Sequence, residues 1–394
     1  MDQRGSRQQD TWLRAEDCDL SAFAALCEQE TDPADCPLAA NVTKRVPVYD
    51  CRALLPRLTS PDFGETLMSE WARVFSTGPG VVVLQGAEPD HAMIDRASEI
   101  FRDLIDRQNR EGSGGGDHFA KPGANDRLWN SLEKHCLADP ANFARYYANP
   151  FLALVSQAWL GPYYQMTAQL NVVNPGGASQ TPHRDYHLGF QSAEAVSRYP
   201  RHVHLMSPML TLQGAIAHVD APIEAGPTML LPHSQKFPAG YIATSRADFR
   251  SYFEANAVQL PLAKGDMLFF SPALFHAAGT NRSADIRRMV NLFQVSSAYG
   301  RAMEAIDRTA MVKALYPELL AAQLQGRLTP RQIADAIAAS AEGYSFPTNL
   351  DSDPPIGGLA PKSQAALVHE ALAGSWTAAA LEAALDAQAA KRLP

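Results

Sequence analysis

Thr181-Pro182-His183-Arg184-Asp185-Tyr186-His187 is the stretch on which the reading of this chain turns. It holds a His-x-Asp pair. Alternate residues of a β-strand project to one face, so His183 and Asp185 can be aimed at one ion. An imidazole and a carboxylate supply two of the three ligands of a facial triad, a donor set that leaves coordination positions open and suits non-haem Fe(II). The third ligand is expected from a histidine far along the chain. His276, in Ser271-Pro272-Ala273-Leu274-Phe275-His276-Ala277-Ala278-Gly279, follows an apolar run and is the candidate.

His-x-Asp alone is a weak signal, because it recurs at His218 and Asp220. Small apolar residues flank that second pair, which reads as a core histidine followed by a turn. The far end of the chain adds weight. Arg287 opens the apolar run Met289-Val290-Asn291-Leu292-Phe293. A guanidinium in a barrel strand needs an anion, since burial without a partner is costly. A bidentate grip on a dicarboxylate meets that need, and pairing with a protein carboxylate is the alternative.

Outward from these residues, short apolar or alternating runs separated by turn signals cover 163–173, 181–190, 208–219, 227–232, 257–262, 266–271 and 287–297. So many strands in so little chain leave no room for βαβ units and indicate a β-sandwich or barrel. Before them the pattern predicts a strand at Val81–Leu84, a helix from about His91 to Arg107 capped by Asp90, and a helix over 141–160 broken at Pro150. Beyond about Arg301 the chain reads as helical and Ala-rich, with a Pro/Gly/Asp-rich interruption at 345–361 and a helix over 361–373 that has Pro361 in its first turn. The expected organisation is an irregular arm (1–45), a β core with flanking helices (46–300) and a helical extension (301–394).

Composition sets bounds. The 394 residues are 46% hydrophobic and 19% charged, ordinary for a globular protein. A net charge of −8 argues against nucleic acid as a partner. No apolar run approaches the roughly 18–20 residues that span a bilayer. The polar N-terminus lacks a signal-peptide core, so a cytoplasmic location is expected. The cysteines at 18, 27, 36, 51 and 136 are odd in number and widely spaced, which reads as ordinary thiols. Gly112-Ser113-Gly114-Gly115-Gly116 lacks the phosphate-loop pattern and reads as a flexible loop.

Taken in order, these pieces resemble the phytanoyl-CoA dioxygenase family of Fe(II)/2-oxoglutarate oxygenases over roughly residues 78–297. The likeness rests on Gly80-Val81-Val82-Val83-Leu84, on His183-x-Asp185, on the segment from Val219-Asp220-Ala221-Pro222 through Gly226-Pro227-Thr228 to Pro232-His233-Ser234, on Lys264-Gly265-Asp266, and on His276 to Arg287. It implies a double-stranded β-helix (jelly roll), with iron held by His183, Asp185 and His276. It implies that Arg287 grips the distal carboxylate of 2-oxoglutarate, with Lys121 also in reach. The implied reaction uses O2, releases succinate and CO2, and hydroxylates a C–H bond of a small metabolite or natural-product intermediate. Two departures stand out. Ala278 lies where the family often has a small hydroxyl residue, for which Thr228 or Thr280 can substitute, and Gln235 lies where a histidine is common. Asp185 is intact, which argues against the related halogenases.

Gln169 and Asn171, on a strand facing the same barrel, are candidates for cosubstrate contact. Substrate contacts are expected from the polar and aromatic cluster Asn125, Arg127, Trp129 and Lys134, and from Arg184, Tyr186 and His187 beside the metal pair. The cations suggest a polar or anionic small-molecule substrate. No nucleic-acid or membrane partner is expected, and the chain is read as a monomer or homodimer. A desaturase, epimerase or ring-forming oxygenase shares the same metal residues. A non-enzymatic metal-binding β-barrel is the remaining alternative.

Overall fold

The computed structural model describes residues 11–111 and 124–393. Its strands, in chain order, are β1 (Asn41–Thr43), β2 (Val46–Asp50), β3 (Val81–Gln85), β4 (Asn125–Leu128), β5 (Gln165–Val173), β6 (Thr211–Ala217), β7 (Met229–Leu231), β8 (Met267–Phe270), β9 (Phe275–Ala277) and β10 (Arg288–Ser296). Eight of them form one sheet in the order β1-β2-β3-β8-β6-β10-β5-β4, and β7 pairs with β9 in a second, short sheet. Only the β2–β3 pairing is parallel among the described strands.

Side chains of the central strands alternate between two destinations. Leu170 and Val172 of β5, Leu212 and Ile216 of β6, and Met289, Phe293 and Val295 of β10 enter a dry core. The helices Pro61–Ser76, His91–Glu111 and Pro150–Leu160 bury Trp71, Phe101 and Phe151 in that same core. The C-terminal helices Arg308–Leu324 and Pro330–Ser340 add Leu315 and Ile333 to it. The opposite face of the sheet turns toward the small sheet. Near β2, β3 and β8 this interior is filled by Val48, Val83, Leu230, Leu262 and Leu268. Toward β6, β10 and β5 it is hollow, and a cavity of about 840 Å3 opens there. The architecture is a double-stranded β-helix flanked by helices, with a helical C-terminal extension.

The N-terminal arm is anchored by one aromatic residue. Phe23, on the helix Leu20–Cys27, is fully buried against the rings of Phe237, Phe249 and Phe275. All five cysteines are free and buried. No helix among the described residues is long and apolar enough to cross a membrane.

Three local expectations need correction. The strand expected over 181–190 shrinks to a single bridge between His183 and His276. Tyr186 (φ 62°) and His187 (φ 35°) are left-handed, which ends extended structure, and a 3-10 turn follows at His187–Phe190. The run 257–262 likewise contributes only bridges, at Val258 and Leu262. The helix expected from 361 starts at Gln364, because the Ser363 side chain accepts from the Ala366 N–H and leaves Pro361 outside.

Candidate metal centre

Two chain segments build the centre. His183 N–H donates to the His276 carbonyl at 3.1 Å, and His276 N–H returns the bond to His183 at 3.2 Å. The Asp185 N–H reaches the Pro272 carbonyl at 3.0 Å. These bonds bring residues far apart in sequence into a fixed register, with the imidazole centroids 4.5 Å apart.

Both histidines are oriented by the same local device. Nδ1 of His183 lies 2.8 Å from the Thr181 carbonyl oxygen, and Nδ1 of His276 lies 2.8 Å from that of Leu274. A carbonyl accepts only from a protonated nitrogen, so each Nε2 is left with its lone pair. Those lone pairs face Asp185: its Oδ1 is 3.6 Å from His183 Nε2 and its Oδ2 is 3.5 Å from His276 Nε2. One ligand atom from each of the three residues lies within 4.8 Å of the others. Burial favours a neutral His183 and lowers its pKa. Burial alone would raise that of Asp185, but His183, His276 and a hydrogen bond from Gln213 hold it well below the usual carboxylate range. Neutral imidazoles beside an ionised carboxylate are the protonation states a divalent ion requires. Phe270 packs on the His276 ring at 4.7 Å. The chemistry of this donor set therefore fits non-haem ferrous iron.

The same cavity holds a cation without a counterion among the described residues. Arg288 is 4% exposed, and its Nε and Nη1 have no hydrogen-bond partner among the described residues. Burial pushes its pKa down to about 10. An uncompensated guanidinium in such a place fits a carboxylate ligand. Arg287, the residue expected there, lies on the other side. Its side chain is 64% exposed and donates to Asn174 and, at 3.1 Å, to Asp126. Strand parity explains the exchange: Arg288, Val290, Leu292 and Gln294 share the cavity face of β10, and Arg287 precedes the strand with the opposite phase.

The other expected residues divide. Gln169, Asn171, Thr228, Arg127 and Trp129 line the cavity. Arg127 donates to the Gln169 Oε1 at 3.0 Å and lies over the Trp129 ring at 4.9 Å. Asn125 is buried in β4, and its carboxamide oxygen is close to where a side chain at Gly177 would start, outside the cavity wall. Lys134 is half-buried on the helix Ser131–Ala138, behind the wall. Tyr186 and His187, both with left-handed backbone, do not line the cavity. Lys121 lies outside the described residues.

Arg184 is placed as a structural cation, not as the substrate contact expected. It borders the cavity, but its Nη2 donates to the carbonyls of Ser234 (2.6 Å) and Phe237 (3.1 Å). The guanidinium also stacks near Tyr241 and Phe275. Gly240 makes room for it, since a Cβ there would fall 1.9 Å from Arg184 Cζ. His218 is the core residue its apolar neighbours implied, fixed between Ser98 Oγ and Tyr146 OH at 2.8 Å each.

The sequence reading missed Arg288, Gln213 and Glu304. The phase of β10 carried no clear signal for Arg288, because its polar residues Asn291 and Gln294 fall on opposite faces. Gln213 and Glu304 left none.

A family model described as phytanoyl-CoA dioxygenase matches residues 53–289. The chain belongs to the phytanoyl-CoA dioxygenase family. The match begins well before residue 78 and takes in the helix Pro61–Ser76, whose Leu67, Trp71 and Phe75 are core residues. Dioxygenase cdmD of Talaromyces verruculosus is 30% identical over 128 residues, 32% of this chain and 38% of that protein. Iron/alpha-ketoglutarate-dependent dioxygenase ausU of Aspergillus calidoustus is 30% identical over 141 residues, 35% of this chain and 41% of that protein. The chain thus spans about two fifths of the length of these curated relatives. Among solved structures, the non-heme alpha-ketoglutarate-dependent epimerase SnoN from nogalamycin biosynthesis has 18% identity and a TM-score of 0.41, covering 61% of this chain and 85% of its own. EvdMO1 has 20% identity and a TM-score of 0.42, covering 58% of this chain and 50% of its own.

Proposed function

We propose that this protein is an iron- and 2-oxoglutarate-dependent dioxygenase that hydroxylates a C–H bond of a small, carbon-rich molecule. The observation that carries the reading is the convergence of His183 Nε2, Asp185 and His276 Nε2 in a cavity whose wall also presents the unpartnered Arg288. His183, Asp185 and His276 would hold the iron, and Arg288 would take the distal carboxylate of 2-oxoglutarate. Bound iron, with 2-oxoglutarate and O2, supplies oxidising power as 2-oxoglutarate goes to succinate and CO2.

The chain's own residues set geometry and solvent access. The Thr181 and Leu274 carbonyls hold both imidazoles in the ligating tautomer. Gln213 donates to Asp185, which orients the carboxylate and leaves its other oxygen free to ligate. Phe270, Val290 and Leu292 keep the adjoining wall apolar and limit water at the site of oxidation. At about 840 Å3, the cavity is larger than 2-oxoglutarate requires and falls in the range for a drug-sized second ligand.

The test is succinate formation from 2-oxoglutarate by the full chain with Fe(II), ascorbate and O2, with and without a pool of small metabolites. Pool-stimulated succinate, lost in His183→Ala together with stoichiometric iron binding, is the expected result. Succinate formation unchanged in His183→Ala would overturn the metal assignment. Product mass then reads the outcome: gain of one oxygen atom is hydroxylation, and loss of two hydrogens is desaturation.

A further inference from the structure

The cavity has a second polar end, apart from the metal. Gln169, Arg127 and Glu304 meet there, with Trp129 and Met303 beside them. Gln169 on β5 and Gln213 on β6 are separated by β10. This end therefore lies about 10 Å across the sheet from the Gln213 that holds Asp185, two strand spacings away.

Glu304 is the unusual member. Its Oε1 accepts the Asn130 N–H at 2.7 Å, where Asn130 takes the left-handed backbone (φ 54°) that aims this donor. Its Oε2 is buried and has no hydrogen-bond partner among the described residues. No basic group lies within ion-pairing distance of it among those residues. A buried carboxylate oxygen left this way is costly, and the same oxygen bearing a proton becomes a hydrogen-bond donor on a residue that lines the cavity. We propose that Glu304 is a specificity-determining hydrogen-bond donor, which with Arg127 receives the carbonyl oxygen of an uncharged, hydrophobic substrate while the far end of that substrate lies at the metal. This rests on reading the cavity as the substrate chamber of an oxygenase.

The electrostatics agree with the geometry. Burial pushes the Glu304 carboxyl up to about 7, against the opposing pull of Asn130 N–H, Lys134 and Arg127, while Glu133 pushes the same way as burial. Glu133 is itself occupied, accepting from Asn130 Nδ2 at 2.8 Å and from Asp307 N–H at 3.1 Å. A pKa near 7 means that the donor form falls about tenfold between pH 6 and pH 8. Carbonyl binding is therefore strongest below pH 7 and weakens about tenfold by pH 8.

Equilibrium dialysis of the full chain against labelled progesterone, an uncharged tetracyclic diketone, tests this without iron or turnover. Wild-type affinity is expected to fall about tenfold from pH 6 to pH 8. Glu304→Gln, which keeps a donor and cannot ionise, is expected to bind with no pH dependence, within threefold of the wild type at pH 6, as about one such hydrogen bond is preserved. Glu304→Ala is expected to bind about tenfold more weakly at pH 6. Absence of progesterone binding, a flat wild-type profile, or an equal fall in Glu304→Gln overturns the proposal. None of these outcomes bears on the iron and succinate measurements, so failure here and failure of the oxygenase reading are separable.

Discussion

The two faces of β10 carry the same backbone and opposite work. Met289, Phe293 and Val295 sit in a dry core under helices, while Arg288, Val290, Leu292 and Gln294 border a cavity. On the dry face every side chain has packed neighbours, and Phe293 stacks with Phe269 at 6.1 Å. On the cavity face the Nε and Nη1 of a guanidinium are held without a partner among the described residues. One face is optimised for stability and the other gives stability up so that a ligand can complete it.

Substitutions can break or sharpen this contrast. Phe293→Ala should have the largest effect, a loss of about 3–5 kcal/mol in denaturant unfolding, with the 2-oxoglutarate KM unmoved in the protein that remains folded. A loss under about 1 kcal/mol would mean that the dry face is not the structural one. Arg288→Ala should act the other way. It should raise the KM for 2-oxoglutarate about 10- to 100-fold, as expected for a lost charged hydrogen-bond pair. Unfolding stability should hold or rise, because an unpaired buried charge is removed. An unchanged KM would show that another group takes the carboxylate. Arg287→Ala should have the smallest effect, within about 0.5 kcal/mol in stability and without change in KM, since its pair with Asp126 is exposed. A large KM increase there would restore Arg287 to the role its sequence position suggested.

Adjacent arginines show where sequence reading stops. The triad was legible because His-x-Asp spacing and a distant histidine on a strand-rich frame survive any error in register. Arg287 and Arg288 differ by one position, and one position is the whole difference between the faces of a strand. Both faces of β10 are mostly apolar, so hydrophobic alternation could not choose between them. β4 gave no strand signal because Asn125, Asp126 and Arg127 are polar, yet they form the edge strand beside β5. The strand over 181–190 failed for the reverse reason. Its residues favour extension, and only tertiary context imposes the left-handed turn at Tyr186 and His187. Glu304 gave no signal at all, since its burial depends on Asn130 and on a segment without regular structure.

The reciprocal backbone bonds between His183 and His276 have a thermodynamic meaning. Amide hydrogen bonds help the chain meet the entropy of bringing its distant ligands together during folding. Metal occupancy is then expected to add less to folding than in domains that collapse when their ion is stripped. A site made this way can be emptied when its ion is oxidised, and refilled, without the polypeptide having to fold again.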